Sequence, residues 1–90
     1  MGYLYPVTDS QNIKLAFGRV LKSKREELGL SQEKLAEYAE LERTFISWLE
    51  TGKKQATLTT IFKISSALKI QLSELMVLVE TELQIPTKKS

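Results

Sequence analysis

Apolar residues along this chain recur in helical steps, and short polar turns separate the steps. Ile13, Phe17, Val20, Lys24 and Leu28 stand at i, i+4, i+7, i+11 and i+15. That spacing predicts a first helix over residues 11–27, with the lysine stem at the edge of its apolar stripe. Gly29 predicts a left-handed stop. Ser31 follows as an N-cap to QEKLAEYAE, where Leu35, Ala36 and Ala39 share one face. This second, short helix is expected to end near Ala39 or Glu40, with Leu41 plugging the core from the turn.

The next segment, ERTFISWLETGKK from residue 42, predicts a third helix only two or three residues later. At ~100° per residue, Phe45, Ile46 and Leu49 make one apolar face, and Thr44 and Ser47 lie opposite it. Arg43 and Trp48 flank that outward arc, a small, polar and partly aromatic surface where a solvated helix more often carries Lys and Glu. Gly52 closes the helix, and KKQA forms a loop. Thr57 or Thr59 then caps a fourth helix, whose Ile61, Ile64, Ser65 and Leu68 follow helical spacing with Leu58 and Phe62 alongside. A fifth begins near Ser73, with Leu72, Leu75, Val79 and Leu83 toward the core and Met76 and Leu78 at the edges. No β-alternation competes, so the chain is expected to be all-α with five helices. Helices two and three, joined by a tight turn, read as a helix-turn-helix.

Ninety residues with 42% hydrophobic content make one small domain. Residues 1–10 are expected to form an N-terminal arm, residues 11–83 the domain and residues 84–90 a tail. The chain has neither cysteine nor histidine, which removes disulfides, thiol chemistry, zinc-finger ligation and the commonest general base. Glu33 and Glu37 form a carboxylate pair at i, i+4, read as solvated on a short surface helix. No catalytic residue, metal site, cofactor or small-molecule ligand is therefore expected. No stretch approaches the roughly 20 apolar residues of a membrane span, and MGYLYPVTDSQ lacks the order of a signal peptide. A cytoplasmic address is the expectation.

The net charge of +2 is unevenly spread. Residues 1–30 hold five basic and three acidic side chains, residues 31–52 two and five, and residues 53–90 six and three. The acidic middle segment lowers non-specific attraction to a polyanion, and Arg19, Lys22 and Lys24 would offset it if they bordered the same surface.

At this point the run LKSKREELGLSQEKLAEYAELERTFISWLETGKKQATLTTIFKISSALKI resembles the phage repressor and Cro-like helix-turn-helix family. The usual pattern there is LxxxRxxxGLSQxxLAxxxxxxRxxISxxExG, and the resemblance spans residues 13–78. The R-T-F-I-S core is also similar to the R-T-Y-I-S of restriction-modification controller proteins. The resemblance implies a five-helix lambda-repressor-like domain that binds double-stranded DNA by sequence and regulates transcription. By the same resemblance, Gln32 bonds a DNA phosphate and braces helix three. Arg43, Thr44 and Ser47 meet base edges and nearby phosphates, Lys53 and Lys54 grip the backbone, and Arg25 pairs with Glu50.

Three positions depart from the pattern. Glu42 stands at the N-cap of helix three, where Ser, Thr or Asp is usual. Lys69 takes the place of the glycine that commonly ends helix four, which predicts a left-handed lysine or a different turn. Trp48 lies on the shoulder of the outward face and admits two readings, a packing or partner contact and a DNA contact. Helix five carries more apolar surface than one small core absorbs, so Leu72, Met76, Val79 and Leu83 are the expected dimerisation surface. A homodimer would set two recognition helices over a pseudo-palindromic operator. The alternative is an antitoxin-like protein-interaction module on the same fold.

Overall fold

The computed structural model describes residues 10–84, with side chains through residue 83. The expected arm, apart from Ser10, and the expected tail, apart from the Gln84 backbone, lie outside the described residues. Five helices follow in order: α1 (Ser10–Glu27), α2 (Gln32–Ala39), α3 (Arg43–Glu50), α4 (Leu58–Ala67) and α5 (Leu72–Gln84). Among the described residues there is no strand. Helix α1 packs along α5 and against α3, α2 packs on α3 and α4, and α4 closes on α5. The core they enclose is built on Leu21, Leu35, Ile46, Leu49, Ile64 and Leu75, all fully buried.

Local chemistry explains the boundaries. Ser31 accepts the Lys34 amide at 3.0 Å and starts α2, and Thr57, not Thr59, accepts the Thr60 amide at 3.2 Å and starts α4. The first four helices end alike. One residue at each C-terminal end turns left-handed, the C-cap itself in α2 and the second residue past the helix in the other three, and the next amide reaches back five residues to a helix carbonyl. The bonds are Leu30 to Arg25 at 3.0 Å, Leu41 to Ala36 at 2.8 Å, Lys53 to Trp48 at 2.8 Å and Ile70 to Ser65 at 3.0 Å. Glycine occupies two of these left-handed positions, Gly29 and Gly52, whereas Glu40 and Lys69 each sit at φ 58°. Lys69 therefore adopts the left-handed alternative. Glu40 does the same without any warning in the pattern of residues.

The structure corrects several expectations. Leu28 is 47% exposed, because α1 has already ended and the turn at Gly29 delivers Leu30 to the core instead. Phe62 is 54% exposed and Leu58 more so. Phe62 lies ~160° around α4 from the buried Ile64. Helix α5 starts one residue early, at Leu72. Val79, expected on a partner surface, is buried in the core beside Leu75, since four residues bring it back to the side of α5 that meets α1. Leu72, Met76 and Leu83 are half-buried on one flank of that helix, while Val77 and Leu78 are exposed.

Candidate nucleic-acid interface

Helix α3 is eight residues long, a rod of about 12 Å. One face is committed to the interior: Ile46 and Leu49 are fully buried and Phe45 half-buried. The approach to α1 is set by Gly18. A Cβ built there would lie 2.5 Å from the Leu49 carbonyl oxygen and 2.6 Å from that of Glu50, so only glycine lets the end of α3 come this close. Nothing in the periodicity of α1 singles Gly18 out. Its one sequence signal is a glycine mid-helix, where it weakens the helix unless packing requires it.

A buried charge network locks the same end. Arg25 donates from Nε to Glu50 Oε2 at 2.6 Å and from an Nη to Glu50 Oε1 at 3.0 Å, a two-pronged arrangement suited to a carboxylate. Its other Nη donates to the Leu30 carbonyl at 2.7 Å, tying the α1–α2 turn into the network. Gln32 Nε2 donates to Glu50 Oε1 at 3.0 Å, so the glutamine braces α3 through Glu50. The Glu50 hydrogen bond raises the Arg25 guanidinium above its ordinary value; burial opposes this, and the charges of Glu50 and Glu26 add to the rise. A base raised in the folded state contributes stability at every pH below its unfolded value. On Arg25's account the network is intact through the whole neutral range.

The outward surface of α3 holds the remaining residues. Arg43 and Thr44 are exposed at its N-terminal end, and Ser47 is half-buried behind them. Glu42 precedes them with φ −80° and ψ 142° and makes no side-chain cap, in keeping with the weaker capping expected of glutamate. At the far end stand Lys53 and Lys54, both exposed. Trp48 is 38% exposed, and the Lys54 ammonium lies 5.4 Å from the centre of its ring. The helical spacing of α3 gives no sign of this contact, because Lys54 lies beyond the helix in the loop. Gln32, Arg43, Thr44, Ser47, Trp48, Lys53 and Lys54 thus all belong to α3, its loop or the helix that braces it.

The flanking charges divide in an unexpected way. Glu40 and Glu42 are exposed beside an open depression lined also by Leu41, Thr44, Phe45 and Trp48. Glu37 is within 3.4 Å of Lys34, which partly neutralises α2. Arg19 lies 3.5 Å from Glu82 on α5, and Lys24 is 2.7 Å from Glu27. Those two basic groups thus find acidic partners on α5 and on α1 itself. Among the described residues, no group of three or more His, Cys, Asp or Glu side chains is placed to hold a metal ion, and no helix is long and apolar enough to cross a membrane. An α-helix with its side chains is about 10–12 Å across, which fits the ~12 Å width of the major groove of B-form DNA, and α3 carries exposed donors toward both ends.

Residues 21–75 match the helix-turn-helix family. The chain is 43% identical over 72 residues to the control protein C.MunI of a Mycoplasma species, a match spanning 79% of this chain and 97% of that one. The crystal structure of the restriction-modification controller protein C.AhdI from Aeromonas hydrophila superposes with a TM-score of 0.67 at 37% identity, over 69% of this chain and 94% of that one. The controller protein C.Esp1396I, solved as a tetramer with its natural 35 base-pair operator, superposes with a TM-score of 0.76 at 26% identity, over 81% and 96%.

Proposed function

The chain belongs to the helix-turn-helix family and, within it, to the restriction-modification controller proteins, and on that premise we propose how it works. It is a sequence-specific, double-stranded DNA-binding regulator of transcription that acts as a homodimer on a pseudo-palindromic operator. The observation that carries this reading is the split character of α3: Ile46 and Leu49 on its inner face are fully buried while Arg43 and Thr44 stand exposed at its N-terminal end. A helix docked in the major groove presents its N-terminal residues to base edges. Arg43 offers two parallel donors that fit guanine O6 and N7, and Thr44 suits a thymine methyl or a phosphate. Ser47 contacts the same strand, while Gln32, Lys53 and Lys54 meet phosphates, which fix register and set the salt dependence. The protein carries no catalytic activity and works in the cytoplasm.

The dimer forms through the flank of α5 bearing Leu72, Met76 and Leu83, which remain partly open to solvent in one copy. The two α3 helices then sit about 34 Å apart, one turn of DNA. Selection of bound duplexes from a random pool at about 0.15 M salt tests the whole reading. Enrichment of an inverted repeat with half-sites one turn apart is the expected result. Exposed Leu58 and Phe62 on α4 favour a protein-interaction module as the second reading, and a selection that enriches no sequence would move the function there.

A further inference from the structure

Trp48 stands at the groove-facing helix, and a large aromatic there invites the role of base reader. Its contacts point elsewhere. The Lys54 ammonium lies 5.4 Å from the ring centre, inside the ~6 Å range in which a cation is held by an aromatic face, with tryptophan the strongest such face. The backbone makes the same connection. The Lys53 amide donates to the Trp48 carbonyl at 2.8 Å and the Lys54 amide donates to it at 3.4 Å, while the left-handed Gly52 folds the loop back. Lys54 is thus held at both ends, main chain and ammonium, by one residue. Among the described residues Lys54 has no carboxylate within ion-pair distance.

We infer that Trp48 is the positioning residue for Lys54: its indole face pre-orders the ammonium at the C-terminal end of α3 for a DNA phosphate, and it reads no base. This rests on the DNA-binding reading above. A ring holds a cation without neutralising it, so the full charge and outward N–H donors stay available, whereas a carboxylate partner would have to be displaced. A free lysine loses the freedom of a long flexible stem when it meets phosphate. Here the ring gives the ammonium a favoured place before phosphate arrives. Trp48 also lies in the second half of α3, away from the N-terminal residues that a docked helix aims at base edges.

The test is a double-mutant cycle on the full chain with W48L, K54Q and the double variant, plus W48F as the conservative ring. The probe is the duplex the wild-type chain itself enriches from a random pool, titrated over a range of salt. One lysine–phosphate contact has a log–log salt slope of ~0.9, about a five-fold affinity difference between 1 M and 0.15 M salt. K54Q is expected to lose about five-fold at ~0.15 M salt and about 0.9 of the slope. W48L loses a comparable factor, its slope falls in the same direction, the double variant is no weaker than K54Q, and W48F keeps most of both. A repeat selection with W48L recovers the same sequences. Additive losses overturn the inference, as does a W48L variant that keeps its full salt slope while reordering the preferred sequences. If W48L fails to show a cooperative melt, W48F carries the comparison: a full K54Q-like loss in W48F also overturns it. A wild-type chain that enriches no duplex defeats the DNA-binding reading itself and this inference with it, whereas enrichment with additive losses defeats the inference alone.

Discussion

Replacing Gly18 by alanine separates two opposed effects by sign. Helix propensity favours alanine over glycine by about 1 kcal/mol at an interior position, so a helix that merely tolerated Gly18 would gain stability. The packing says the reverse. The new methyl would lie 2.5 Å from the Leu49 oxygen and 2.6 Å from the Glu50 oxygen, against the 3.4 Å at which ordinary contact begins. The end of α3 has to recede by roughly 0.9 Å, and both atoms are backbone, so no side chain can swing aside. Glu50 is also pinned by Arg25 and Gln32, so recession strains that network too. Overpacking of this kind costs about 1–3 kcal/mol. Less the propensity gain, the net loss is about 0–2 kcal/mol, or several degrees of melting temperature at ~4–8 °C per kcal/mol for a domain this small. Urea and thermal melts of Gly18→Ala measure it. A variant more stable than the parent by the full propensity gain would refute the close approach. Operator affinity, read on the folded variant, is expected to fall further than the melt requires, because the shift displaces the helix that carries Arg43.

Other substitutions probe the remaining links. Arg25→Met leaves the Glu50 carboxylate buried without its cation and is expected to cost about 3–5 kcal/mol, with the double variant Arg25→Met, Glu50→Met recovering a good part of it; equal loss in single and double variants by denaturant melts would contradict this. Lys69→Gly relieves a left-handed side-chain position and is expected to raise stability by roughly 1 kcal/mol, read as a rise in melting temperature. Glu42→Asp supplies a competent cap to α3 and is expected to add about 1 kcal/mol, with an unchanged melt counting against it. Arg43→Ala is expected to relax sequence preference at one operator position by about 1–3 kcal/mol; unchanged discrimination between operator and scrambled duplex would exclude a base contact.

Much of this molecule follows from short-range information. Helix number, the tight turn between α2 and α3, the caps at Ser31 and Thr57 and the glycine stops all depend on residues within a few positions of one another. The amphipathic split of α3 is equally local, so the spacing alone sets Phe45, Ile46 and Leu49 on its inner face and Thr44 and Ser47 opposite, flanked by Arg43 and Trp48. The Arg25–Glu50 pair follows only from the family resemblance, and the bond from Gln32 to Glu50 only from the structure. Periodicity says nothing about which distant side chains meet.

Tertiary structure decided what depends on how helices remote in sequence approach. It turned Val79 inward and left Phe62 outside, because which side of α5 or α4 is covered is set by where α1 and its neighbours lie. It paired Arg19 with Glu82, residues 63 positions apart. It gave Gly18 its purpose, since the need for a missing side chain exists only where another backbone presses against it. It also set Lys54 over Trp48, a contact made by a chain reversal whose residues were legible but whose reach was not. A sequence alone determines the faces a helix can offer, and the packed fold determines which of them stay open to a partner.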